Sequence, residues 1–175
     1  MSGFLLSLVS PVLHKMVCGA FKESASRRLT LGEMEERAFV RVVGLACGVA
    51  SMEVGHVMEV VKLAKVADRL QMSEVVAELS GTICSELSVE VCAEVLGASG
   101  AWGLAEVEGR CRRMALERFE EVARTASVME LEEEVVGGLR DDDSLIAGSE
   151  EAVLESLLAG LNGLGLRLDD DIKNA

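Results

Sequence analysis

The sequence predicts a mainly α-helical fold with one short strand, on three observations. The first is composition: of 175 residues half are hydrophobic, yet aromatics make up only 3%, Tyr is absent and Pro occurs once. Leu, Val, Ala, Met and Glu therefore carry the chain, which favours helices over a β-sandwich rich in Tyr, Thr and turn prolines. The second is periodicity, clearest where Val57, Met58, Val61, Leu63, Ala64, Ala67 and Leu70 trace one face of a helix whose polar positions include Lys62, Lys65, Asp68 and Arg69. The third is punctuation, because Ser, Pro and Gly recur at places where helices begin and end.

Taken in order, Ser10 caps and Pro11 occupies the first turn of a helix running from Val12 to about Cys18, and Gly19 ends it. After the polar stretch Lys22 to Arg28, the alternation in Leu29-Thr30-Leu31 fits a short strand. Glu33 to Glu36 then open a helix with negative charge in its first turn, carrying Phe39, Val42, Val43 and Ala46 on one face. The long amphipathic helix follows from Val54, and Gln71-Met72-Ser73 breaks it, with Ser73 as cap for a helix from Glu74 to Glu86.

Ser88 caps the next helix, which holds Val91, Val95 and Leu96. Gly97, Gly100 and Gly103 around Trp102 predict an inter-helix hinge with one buried aromatic. Leu104 to Arg124 reads as the longest continuous helix, with Val107, Cys111, Met114, Ala115, Phe119 and Val122 inward. After a break at Thr125-Ala126-Ser127, a helix with Met129, Leu131, Val135, Val136 and Leu139 runs to Gly137-Gly138 and the run Asp141 to Asp143. A last helix begins at Ser149-Glu150-Glu151, and residues 162–175, rich in Gly, Asn and Asp, are expected to be disordered.

The formal charge of −13 argues against nucleic-acid binding, since even Arg110, Arg112 and Arg113 sit among Glu106, Glu108 and Glu117. Five cysteines, Cys18, Cys47, Cys84, Cys92 and Cys111, are odd in number and lie in apolar stretches, so they read as reduced core residues of the cytosol or nucleus. The apolar start Phe4 to Val9 lacks the basic flank and small-residue cleavage site of a secretory leader. Arg41 interrupts the best apolar stretch, so a membrane span is not expected.

Enzyme chemistry finds little to work with. Only His14 and His56 are available as bases, and the glycines form no phosphate loop, so neither a catalytic site nor a cofactor is expected. His14 and Cys18 stand four apart on one helix, a spacing that suits a shared metal, but no second pair completes four ligands. Asp141 to Asp143 lacks the ligand spacing of a calcium loop. Glu120-Glu121 and Glu132 to Glu134 read as solvated helix faces, and the methionines Met52, Met58, Met72, Met114 and Met129 as core filling.

The order of phrases carries a family resemblance. Ser10-Pro11-Val12-Leu13-His14-Lys15-Met16, then Phe21-Lys22-Glu23-Ser24, then Leu29-Thr30-Leu31, then Arg37-Ala38-Phe39 through Gly48, resemble successive elements of a BTB (POZ) domain. Val57 to Ala64 with Ala67-Asp68-Arg69-Leu70-Gln71-Met72 resembles that family's Leu- and Ala-rich helix and its Leu-Gln-Met turn. Leu87 to Cys92, Ala115 to Val122, Leu131 to Val135, Leu139 to Asp143 and Ser149 to Val153 resemble the BACK domain of kelch-like adaptors. The resemblance implies an α+β BTB portion over residues 1–86 that lacks its first strands, all-α BACK helices over 87–161, and no kelch repeats after them. It also departs from the family pattern where Ala46-Cys47-Gly48 replaces a Tyr-Thr-Gly turn.

What the resemblance implies for function is a cytoplasmic, non-enzymatic adaptor that holds the cullin scaffold of an E3 ubiquitin ligase and forms homo-oligomers, the latter weakened by the missing strands. In such adaptors a hydrophobic-x-Glu element faces the cullin, and Phe21-Lys22-Glu23 stands at the matching place. An exposed aromatic beside charges suits an interface anchor. The rival expectation is a homotypic scaffold module without a ligase role.

Overall fold

The computed structural model describes residues 3–19, 36–51 and 55–146, with single helical positions at 151, 155 and 158. The strand expected at Leu29 to Leu31, the helix opening at Glu33, the helix start at Val54, the start of the last helix at Ser149 and the tail 162–175 lie outside the described residues. Among those described the chain is helical with no strand, so the mainly α reading holds. The chain divides into two compact units, Met1–Glu86 and Leu87–Ala175.

The first unit contains α1 (Gly3–Val9), α2 (Pro11–Cys18), α3 (Glu36–Ala46), α4 (Val57–Arg69) and α5 (Ser73–Ser85). The α1–α2 hairpin turns on Ser10, whose backbone is extended while Pro11 opens the next helix. The fixed φ of Pro11 suits a first helical turn, where its missing N–H goes unneeded. The Ser10 hydroxyl works in two directions. It accepts from the Leu13 amide at 3.1 Å as an N-cap and donates to the Leu70 carbonyl at 2.6 Å at the far end of α4. Ser10 is almost fully buried, so this one oxygen joins the hairpin to the helix that supplies most of the core.

That core is aliphatic. Leu13, Val42, Val43, Val61, Ala64, Ala67, Leu70, Leu79 and Ile83 are all essentially without solvent exposure. α4 packs against both α3 and α5, and α1 also reaches α3. α4 ends in a Schellman turn: the Met72 amide donates to the Ala67 carbonyl at 3.0 Å and the Gln71 amide to the Asp68 carbonyl at 2.8 Å. The turn needs a left-handed residue, and here Gln71 takes it with φ 55. Ser73 consequently starts α5 as its first helical residue, and Met72 holds the cap position without a side-chain bond. The expectation that Ser73 caps this helix is corrected, because the tight turn consumes one residue fewer than the polar pattern suggests.

The second unit contains α6 (Val89–Trp102), α7 (Ala105–Glu117), α8 (Phe119–Val122), a 3₁₀ turn at Ala126–Glu130 and α9 (Glu133–Arg140). Gly97 and Gly100 do not hinge α6, which runs on to Trp102. The turn is Gly103 alone, at φ 72, with the Leu104 amide bonded back to the Ser99 carbonyl at 3.0 Å. Trp102 is half-buried. Gly97 has a packing role instead: a Cβ there would lie 3.1 Å from Leu131 Cδ2, so its smallness lets the segment after the 3₁₀ turn lie close against α6.

The helix expected from Leu104 to Arg124 is interrupted at Arg118 (φ −128, ψ 39). The cause is non-local. In an unbroken helix the Leu116 carbonyl accepts from the amide four residues on. Here it accepts from the Ile146 amide at 3.0 Å. Phe119 and Val122 still point inward, and Met114 is half-buried. α9 likewise passes through Gly137-Gly138 to end at Arg140, anchored by buried Leu139.

Two substitutions of opposite sign test the turn around α4. Ser10→Ala removes the N-cap and strands the buried Leu70 carbonyl, so urea unfolding should show a loss of about 1–3 kcal/mol. Gln71→Gly relieves the left-handed backbone and should raise stability by about 0.5–1 kcal/mol. Equal and small effects at both positions would contradict this account.

Candidate partner-binding surface

Nothing in the described residues assembles chemistry. No group of three or more His, Cys, Asp or Glu side chains is placed to hold a metal ion among them. His14 and Cys18 are both exposed on α2. His56 stands at the N-cap of α4, where its Nδ1 accepts from the Met58 amide at 3.3 Å, which is a structural role. The acidic run is occupied by local pairing. Asp141 accepts from Arg140 at 2.8 Å, and Asp142 accepts from Arg112 at 3.1 Å and from the Ser144 amide at 3.0 Å.

Arg112 has a wider part. Its Nη2 also donates to the Gly138 carbonyl at 2.6 Å, so one guanidinium on α7 satisfies the last turn of α9 and Asp142 just beyond it. The Asp142 carboxyl is held below its ordinary range by its bond to the Ser144 backbone first and by Arg112 second. At Arg118, where α7 breaks, the guanidinium reaches Glu121 in the next turn, and that bond keeps the Glu121 carboxyl low.

The surface that stands out is α1. Its seven residues, Gly3 to Val9, carry no charge. Phe4 is 69% exposed and Leu8 66%, one helical turn apart, with Leu5 exposed beside them. Inward, Leu6 is buried. The whole hairpin 3–19 contains His14 and Lys15 but no Asp or Glu, in a chain that has 30. Leu8 continues into a cleft of about 430 Å³ lined by α1, α2 and the start of α5, including Pro11, His14, Gln71, Ser73 and Glu74. A carboxylate-free apolar helix face on an acidic protein is the composition expected of a contact surface.

The residues singled out from sequence for partner contact, Phe21, Lys22 and Glu23, lie outside the described residues. Sequence reading passed over Phe4, Leu5 and Leu8 as an interaction face because the apolar stretch was weighed only as a leader. Their spacing over one turn was the available signal. The cysteines also need correction: only Cys92 and Cys111 are core residues, whereas Cys47 and Cys84 are half-buried and Cys18 is exposed. An apolar sequence neighbourhood does not say on which side of a helix a residue falls. Of the methionines read as core filling, Met58 and Met114 are half-buried at the core margin, while Met72 is buried.

Against this geometry stand the comparisons with known proteins. Residues 92–162 match the family model described as BACK, "BTB And C-terminal Kelch". The chain is similar to human Kelch-like protein 17, with 28% identity over 155 residues that cover 89% of this chain and 24% of that protein. It is also similar to human Kelch-like protein 38, 26% identical over 155 residues covering 88% of this chain and 26% of the relative. Rat Kelch-like protein 38 is 27% identical over 158 residues, covering 89% of the chain and 26% of its own length. These findings make the chain similar to kelch-like proteins, and residues 92–162 similar to their BACK region. The chain spans about a quarter of the length of the curated relatives it matches. No helix among the described residues is long and apolar enough to cross a membrane.

The Arg112 latch has a pH signature. A carboxyl whose folded pKa is depressed contributes stability that is present above its ordinary value of 3.8 and lost as pH falls through the folded value. Asp142→Asn should therefore unfold at a lower temperature than the parent protein at pH 7, and the gap should close below pH 3.8. A gap that persists undiminished at pH 2 would show that the carboxylate charge is not what Arg112 holds.

Proposed function

We propose that this chain is a non-enzymatic protein-interaction adaptor of the kelch-like kind, in which a BTB-like portion over residues 1–86 precedes a BACK-like helical portion over 87–161. Its partner is the cullin scaffold of a ubiquitin ligase, and Phe21, Lys22 and Glu23 form the contact. The observation that carries this reading is similarity to kelch-like proteins across 89% of the chain, together with the BACK match over 92–162. The two histidines of the sequence serve as a helix cap and an exposed helix residue, and the acids that have partners are used in surface pairs.

The position of the proposed contact also fits. Phe21 follows in sequence shortly after the α1–α2 hairpin, which is free of carboxylates and exposes an apolar face on α1. An aromatic anchor of this kind supplies most of an interface's affinity from few atoms, and its truncation typically costs at least about 1–2 kcal/mol of binding. Phe21→Ala should therefore weaken capture of a purified cullin N-terminal region about tenfold or more while leaving the thermal unfolding midpoint nearly unchanged. Unchanged capture, or a variant that unfolds, would remove Phe21 from the interface.

A second reading is favoured by one observation. The exposed Phe4, Leu5 and Leu8 face suits a homotypic contact in which two copies bury their uncharged helices and keep their acidic surfaces apart. Light scattering separates the two. A ligase adaptor gains mass on addition of cullin, whereas a pure scaffold module shows a multiple of 18.6 kDa that cullin does not change.

A further inference from the structure

In the second unit, α6 and α7 form a hairpin with two cysteines at its core. Cys92 on α6 and Cys111 on α7 are both without solvent exposure and 19 positions apart in sequence. The Cys92 thiol donates to the Cys111 main-chain carbonyl at 3.3 Å and also meets the Cys111 side chain, so the two cysteines are in contact across the hairpin. Around them the hairpin is lined with small side chains: Ala93 and Ser99 on one helix, Ala115 on the other. Small residues on both helices are what let two helix backbones approach closely enough for cysteine side chains to meet.

We propose that Cys92 and Cys111 are a reversible dithiol–disulfide pair that locks α6 to α7 when a hydroperoxide oxidises it. The chemistry closes without any other group. One thiol, as thiolate, attacks the peroxide oxygen to give a sulfenic acid and releases water after protonation. The second sulfur then attacks that sulfenic sulfur, forming the S–S bond and releasing a second water. Two S–H bonds and the O–O bond are lost, the sulfurs together give up two electrons, and hydrogen peroxide is reduced to two waters.

A side-chain hydrogen bond from Cys111 holds the Cys92 thiol below its ordinary value, against the opposite pull of burial. Burial sets the timing. The oxidant reaches the pair only when the hairpin opens, so oxidation is slow in the folded protein and so is reduction once the bond has formed. The three cysteines with more exposure, Cys18, Cys47 and Cys84, are absent from this hairpin, and replacing them leaves the buried pair as the thiols that the reagent reads.

The test uses the whole chain carrying Cys18→Ser, Cys47→Ser and Cys84→Ser, treated with hydrogen peroxide and then denatured in the presence of a thiol alkylator. The expected result is loss of both alkylatable thiols, a mass 2 Da lower, and a cross-linked peptide joining Cys92 to Cys111. The thermal midpoint should rise by about 5 °C or more because the closed loop restricts the unfolded chain. Cys111→Ala added to this variant should give a stable sulfenic or sulfinic Cys92 without the 2 Da loss. Two freely alkylatable thiols after prolonged oxidation, also in urea just below the unfolding transition, would overturn the proposal. So would disulfides found only between separate chains.

Discussion

A core filled by aliphatic and small side chains, with almost no aromatic rings, is the constraint from which the rest of this structure follows. Phe119 is the buried aromatic among the described residues, whereas Phe39 and Trp102 are half-buried and Phe4 is exposed. Without large rings to fill space between helices, a dense interior requires the backbones themselves to come near one another. Alanine, cysteine, serine and glycine at the contacts allow this: Ala64 and Ala67 on α4, Cys92, Ala93, Gly97 and Ser99 on α6, Cys111 and Ala115 on α7. Close packing then brings polar atoms inside, where each needs a partner. Ser10 bonds Leu70, Ser99 bonds Leu96 and Cys92 bonds Cys111, each through a main-chain carbonyl.

The same economy of aromatic surface shapes what the protein offers to partners. Among the described residues its helices are short, at most 14 residues, and acids are spread over nearly every element. The exception is the α1–α2 hairpin, where carboxylates are missing and Phe4, Leu5 and Leu8 face outward. A surface in which charge is withdrawn from one apolar patch repels indiscriminate contact elsewhere and leaves that patch for specific association. An adaptor needs such a division more than it needs a pocket. The similarity to kelch-like proteins supplies the family context, and the segregated charge supplies a physical reason why an adaptor reading suits these residues.

What was legible in the sequence was local. The Ser10-Pro11 start and Gly19 end of α2, the amphipathic course of α4 and the buried set Val107, Cys111, Ala115, Phe119 and Val122 all follow from near-neighbour rules, and all appear. What failed depended on distant partners. The break at Arg118 exists because Ile146 takes the Leu116 carbonyl, and no periodicity in residues 104–124 encodes that. Gly97 looked like a hinge but is a point of contact for Leu131. Gln71 occupies a left-handed position that glycine usually fills, so the Schellman turn was hidden behind an ordinary polar residue. Gly103 makes the same turn openly.

The central claim is that this chain recognises a cullin through residues adjoining the α1–α2 hairpin. Amide hydrogen exchange of the whole protein, with and without a purified cullin N-terminal region, addresses it residue by residue. The account predicts slowed exchange over residues 19–24 and along α2 in the presence of cullin, with α9 unaffected. Identical exchange in both conditions, at cullin concentrations that saturate a bona fide kelch-like adaptor, would contradict it.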